Sequence, residues 1–391
     1  MTALGGPPLA VAAVVVLGAL ATFTLGVEPA IAARVGEQLM LAPPAVARIL
    51  SAELGASMVA ALATLLWYRR LGLRTVAVAA SLLFIAANLW SEAWPTYGSL
   101  VAARGAAGLA GGTLLIVVLA TAARCRNPGR VYAAWVVGQT LSASAGLYAL
   151  PAVFGHFGLA GVYGLLGLAT LLALPLIPGL AAYPDRTPAE DVGHVPRHAV
   201  AAGSALGVLF LFYASVGGIW AFAADRGGEA GFGAIQVATA LALANAIGMS
   251  GAMLAAAIAG RGWTVHCLLI GHAVLAGALL MFATAQQVWA YTLAVVLLQF
   301  AWSFAAPFLL AQVAACGSAA PMMSLANVVL GAGLTAGPLL AGAMLERPGR
   351  FGPAVGAALA LLAAGAMLLI FGPRPRTAGA PARGPQRDVA S

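Results

Sequence analysis

Long apolar runs separated by short polar stretches repeat along this chain from one end to the other. They fall at 9–31, 45–67, 74–94, 98–121, 131–152 and 158–177, then at 202–223, 232–258, 263–284, 287–314, 321–344 and 352–372. Each is near the ~20 residues that carry a helix across about 30 Å of hydrocarbon. Inside a bilayer a helix satisfies its own backbone groups, which a lone strand cannot do. The pattern predicts an all-α membrane protein of twelve transmembrane helices. A longer polar interval, 178–201, contains YPDRTPAEDVGHVPRH and splits the runs into two sets of six. The expected organisation is an N-terminal six-helix bundle over 1–177, a linker over 178–201 and a C-terminal six-helix bundle over 202–372. A Pro-, Arg- and Gly-rich tail over 373–391 is expected to be disordered.

Composition sharpens this reading. The chain is 62% hydrophobic and only 8% charged, against roughly 25% charged residues in soluble proteins. So few charges cannot coat a water-soluble fold of 391 residues. The formal charge of +8 would suggest nucleic acid in a soluble protein. Here the arginines concentrate in alternate loops (Arg70, Arg74, Arg124, Arg126, Arg130 and Arg261 among them) and in the tail. That bias places both termini in the cytoplasm and argues for a multi-pass inner-membrane protein without a nucleic-acid partner. Trp67, Trp90, Trp94, Trp135, Trp220 and Trp263 fall near the ends of the runs, where indoles favour the headgroup level. Cys125, Cys267 and Cys316 lack ligand spacing and are expected as free thiols.

Ionisable residues inside apolar runs are costly, so they direct attention to function. Arg104 lies six residues into its run, roughly 9 Å deep at ~1.5 Å per residue. A guanidinium there needs water or a carboxylate, and the candidates are Glu53 and Glu28. A carboxylate that alternates between pairing with Arg104 and taking up a proton would couple the protein to protons; a static packing pair is the competing reading. Neutral polar and aromatic residues recur where a cavity wall would lie: Tyr213, Ser215, Asn245, Gln299, Trp302 and Ser303, with Asn88 and Gln139 in the first set. They suit an amphipathic or weakly polar small molecule. Met249 and Met253, spaced i,i+4, offer thioethers to Cu(I) as a further alternative.

Several motifs resemble the major facilitator superfamily. LWYRRLGLR between the second and third runs matches that family's basic turn at Arg70, Gly72 and Arg74, with Leu65 and Arg69 replacing its Gly and Asp. RGAAGLAGG places Arg104 ahead of Gly108, as in the family's fourth-span signature. GQTLSASAGL keeps Gly138 and Gly146 of the antiporter motif, but Ser142 and Ala143 occupy its Gly-Pro. GLTAGPLLAG in the second set carries Gly337 and Pro338 in the corresponding place. The resemblance implies a secondary active transporter without a cofactor or metal, working as a monomer on a small solute and protons. The reading from sequence is proton-coupled efflux. Proton-coupled uptake is the alternative, ahead of copper import or a non-transport scaffold. Neither H-E-x-x-H nor G-x-S-x-G occurs, so no enzyme is expected.

Overall fold

The computed structural model describes residues 7–67, 70–181, 199–259, 261–316, 319–346 and 351–373. Most of the 178–201 linker, the tail beyond residue 373, and Arg69 of the basic turn lie outside the described residues.

Among the described residues the architecture is all helical. The elements are α1 (Pro8–Gly26), α2 (Glu28–Leu39), α3 (Pro43–Trp67), α4 (Leu73–Ala93), α5 (Tyr97–Ala123) and α6 (Pro128–Ala173). They continue with α7 (Ala199–Ala221), α8 (Ala223–Glu229), α9 (Ala234–Ile258), α10 (Thr264–Thr284), α11 (Val288–Ala314), α12 (Ala319–Met344) and α13 (Phe351–Phe371). Among the described residues, eleven helices are long and apolar enough to cross a membrane.

Two features differ from the simple succession of runs. The expected spans 131–152 and 158–177 form the single element α6, because no loop intervenes: the chain bends at Gly158, whose φ of 64° and ψ of −167° interrupt the helical backbone. Glycine has no Cβ to oppose that conformation. The first run breaks at Val27 (φ −107°, ψ 12°), just before Glu28 and Pro29 open α2. The run at 202–223 breaks in the same manner, at Phe222 between α7 and α8.

Packing pairs recur along the chain. In the first set α3 and α4 both pack on α5, and α1 and α4 on α6; in the second, α9 and α10 pack on α11, and α7 on α12 and α13. The sets meet through α3 with α12, α6 with α9, and α2 with α7 and α8. Small residues permit the close crossings. A Cβ at Gly218 would stand 2.6 Å from the Gly337 carbonyl oxygen, so α7 and α12 touch backbone to backbone.

All three cysteines are free and buried. Trp90, Trp94 and Trp263 are exposed near helix ends. Trp220 departs from that expectation: it is buried, in the wall between the two sets of helices.

Candidate functional site

Arg104 is among the largest fully buried side chains of the protein, at 1% exposure. Its surroundings explain how a guanidinium is held there. Nε donates to the Ser91 hydroxyl at 3.2 Å, and one terminal nitrogen donates to Asn88 Oδ1 at 3.0 Å. The other terminal nitrogen lies 3.5 Å from Glu53 Oε1, and the guanidinium carbon sits 4.4 Å from the centre of the Tyr163 ring. Residues from α3, α4, α5 and α6 thus converge on one cation. A tight charge-assisted hydrogen bond measures about 2.8 Å, so the carboxylate is close to Arg104 without being locked to it.

Glu28 is buried at 3% exposure, and its Oε1 accepts no hydrogen bond. It lies within electrostatic reach of Glu53. The Thr24 hydroxyl faces the Glu53 carboxylate from α1. The acids and the arginine named from the sequence therefore share one region of the first set, with Glu53 the acid in direct contact with Arg104. Close packing fixes the depth of Glu53: a Cβ at Gly108 would lie 2.0 Å from the Glu53 carbonyl oxygen.

A cavity of about 500 Å³ lies on another side of α1, between the two sets. Its polar lining comprises Thr22, Gln139, Thr140, Asn245, Gln299 and Ser303, with Trp220 and Trp302 as aromatic surfaces. No charged residue lines it. Thr22 donates to Gln139 Oε1 at 3.0 Å, and Gln299 Nε2 donates to Asn245 Oδ1. Asn245 Nδ2 in turn donates to the Gly26 carbonyl at 3.2 Å, joining α9 to the end of α1. A second tie between the sets runs from the Ser51 hydroxyl to the Thr335 carbonyl at 2.8 Å. From Gly26 and Asn245 the cavity extends along α11 past Pro307 to Leu310, away from the end where α2 meets α8.

Of the polar residues singled out along the sequence, Gln139, Asn245, Gln299, Trp302 and Ser303 line this cavity together. Three do not. Asn88 is fully buried and serves Arg104. Ser215 donates to the Ala358 carbonyl at 2.9 Å, joining α7 to α13. Tyr213 is buried behind the wall with its ring edge-on to Trp302, centroids 6.0 Å apart. Met253 is exposed, and neither Met249 nor Met253 lines the cavity. Thr22, Thr140 and Trp220 line it without having been singled out for it. A threonine in an apolar run gives little signal, because its hydroxyl can bond the preceding turn, as Thr22 also does with Gly18 at 2.9 Å.

The motif residues take packing positions. Arg74 donates from Nε to the Leu180 carbonyl at 2.9 Å, while Arg70 is exposed and Gly72 immediately precedes α4. Gly138 receives the Val15 side chain, and Gly146 receives Phe23 and Val27, so both bring α6 against α1. Gly337, against the Ala214 carbonyl, precedes Pro338 inside α12.

The same arrangement of helices occurs in solved transporters. A bacterial homologue of the human lysosomal transporter Spinster, solved inward-facing and unoccupied, superposes with a TM-score of 0.67 at 14% identity, covering 93% of each chain. The D-xylose–proton symporter gives 0.71 at 15% identity, covering 94% of this chain and 97% of the other. The nucleoside transporter NupG gives 0.71 at 12% identity, covering 93% and 98%. The chain shares the fold of these transporters. No protein-family model matches the sequence, and no curated protein does. At such identities the likeness concerns the fold, and the chemistry must be read from the residues.

Proposed function

We propose that this protein is a secondary active transporter that takes up a small, uncharged, amphipathic solute together with protons. The observation that carries the proposal is the buried Arg104, held 3.5 Å from Glu53 among α3, α4, α5 and α6 of a major-facilitator-like fold. Counting α6 as two spans about Gly158 gives twelve, in two six-helix bundles over 1–177 and 202–372. The recurring neighbour pairs support that division, and the arginine bias supports cytoplasmic termini in a bacterial inner membrane. A monomer is sufficient, since the cavity is complete within one chain.

In this reading Glu53 alternates between ion pairing with Arg104 and holding a proton. An ionised carboxylate is tolerated in a low dielectric beside a guanidinium, whereas an unpaired one is costly. Transfer of a proton at Glu53 changes what Thr24 and Glu28 face on α1 and α2. The break at Val27 lets that change move the Gly26 end of α1, where Asn245 closes the cavity. Alternating access then follows from rocking of the two bundles about the central cavity. The cavity opens away from the α2–α8 end, which corresponds to an inward-facing state for cytoplasmic termini.

Uptake is favoured over the efflux that the sequence first suggested. The antiporter motif lacks its Gly-Pro at Ser142 and Ala143, and a sugar–proton symporter stands among the structural neighbours. The uncharged lining, with two indoles and several amide and hydroxyl groups, suits hydroxylated neutral solutes. The test is uptake of D-xylose and uridine into proteoliposomes under an imposed proton gradient. Accumulation driven by an inward gradient and lost in Arg104→Gln supports the reading. Accumulation driven by an outward gradient restores efflux, and indifference to the gradient removes the coupling.

A further inference from the structure

A second cavity of about 500 Å³ lies at the α2–α8 end, and it shares no lining residue with the central one. The Asn245–Gly26 contact stands between them. Its walls come from both sets of helices: α2 and α6 on one side, α8 and α9 on the other. Leu147, Phe154, Val237 and Leu241 supply an apolar surface, and two charges of opposite sign, Arg34 and Glu37, line the same space.

These two charges do not consume each other. Their closest approach is 3.7 Å, too long for a hydrogen bond, and Arg34 Nε is buried without a partner. The Arg34 guanidinium lies 5.6 Å from the centre of the Phe154 ring, beside the apolar wall. On the other side, Asp225 of α8 lies within electrostatic reach of Glu37, so the space beside Glu37 favours a cation over a second anion. A simple anion on Arg34 would meet Glu37, and a simple cation on Glu37 would meet Arg34. A molecule carrying both charges on adjacent atoms meets neither penalty.

We propose that this outer cavity is a second binding site, for a small zwitterion with an apolar body such as an aromatic α-amino acid. Its carboxylate pairs with the Arg34 guanidinium, its ammonium faces Glu37, and its side chain lies against Leu147, Val237 and Leu241. The volume falls within the range of small-molecule sites, about 300–1,000 Å³. Because the ligand touches both sets of helices, it fastens them together at this end, independently of what the central cavity carries.

The test is isothermal titration of L-phenylalanine into the full-length protein in detergent, with 3-phenylpropionate and phenethylamine as analogues missing one charge each. L-Phenylalanine should bind at least tenfold more tightly than either analogue. Arg34→Gln and Glu37→Gln should each weaken it about tenfold or more, the scale of a lost charged hydrogen bond. Gln299→Ala, in the central cavity, should leave it unchanged. Since Glu37 is largely exposed, its variant folds even if the Arg34 variant does not, and the analogue series needs no variant at all. No binding at about 1 mM, equal binding of all three compounds, or loss in Gln299→Ala with retention in Glu37→Gln would each overturn the proposal. The last outcome would move the ligand to the central cavity.

Discussion

The side-chain amide of Asn245 hydrogen-bonds the carbonyl of Gly26 at 3.2 Å, so the last turn of α1 is tied to the middle of α9. The contact spans 219 residues of sequence and closes the cavity at the end where α1 breaks. Gln299 holds the same amide from α11 and fixes its orientation. A neutral hydrogen bond contributes about 1 kcal/mol, or roughly a fivefold change in a two-state population. Asn245→Leu, which keeps the bulk without the donor, should therefore shift the protein toward opening at the α2–α8 end by about that factor. Distances between labels at Met40 and Ile235, both exposed near that end, report the shift. An unchanged distance distribution would show that the bond does not act as a latch.

Arg104 uses its nitrogens in different directions: toward Ser91, toward Asn88 and toward Glu53, with its plane over Tyr163. Lysine keeps the charge but supplies neither the fork nor the flat face. Arg104→Lys should retain folding, judged by size exclusion and thermal unfolding, yet lose proton-driven uptake at least tenfold. Full activity in the lysine variant would mean that charge alone is required and that the geometry around Ser91 and Asn88 is incidental.

The fold was legible because lipid imposes a simple demand, some twenty apolar residues per crossing, and the chain meets it repeatedly. The Arg104–Glu53 contact was legible for a related reason: a buried guanidinium must find a carboxylate, and few acids lie at its depth. Asn88 was misplaced because an asparagine in an apolar run has the same cost whether it binds solute or supports an arginine. Trp220 was misread as an interfacial indole because position along a run reveals depth, whereas its burial depends on which helices of the other set pack beside it. Arg226 is buried and donates to the Ala283 and Ala285 carbonyls at 3.1 and 2.8 Å. Nothing in AADRGGE distinguishes a solvated arginine from one that seals the end of another helix; only tertiary contact decides it.

Gly108 sets the distance between α3 and α5, since a methyl group there would come within 2.0 Å of the Glu53 carbonyl. Gly112 repeats the contact one turn on, where a Cβ would lie 2.9 Å from Ser57. Gly108→Ala must push α3 outward and carry Glu53 away from Arg104. Overpacking of this kind costs about 1–3 kcal/mol, so a lower unfolding temperature and weakened coupling should appear together. Gly98→Ala in the same helix has no atom within 4 Å of its new carbon and should change neither. Equal effects from the two substitutions would refute the packing argument.

Asp225 gives the α2–α8 end a dependence on pH. Burial, reinforced by Glu37 and then Glu229, pushes its carboxyl from 3.8 up to about 7. The folded protein thus holds a proton there that an unfolded or separated segment releases, and stability falls as pH rises wherever the native state binds more protons. The contribution is fully present below pH 3.8, declines across the interval and is gone above about 7. Unfolding temperature in detergent should drop between pH 5 and pH 8, and Asp225→Asn, which cannot ionise, should flatten that part of the profile. Arg226, anchored to the end of α10, keeps α8 in place in both cases, so the difference isolates the carboxyl. A wild-type profile that rises over this interval, or a slope that survives in Asp225→Asn, would assign the pH response to other groups.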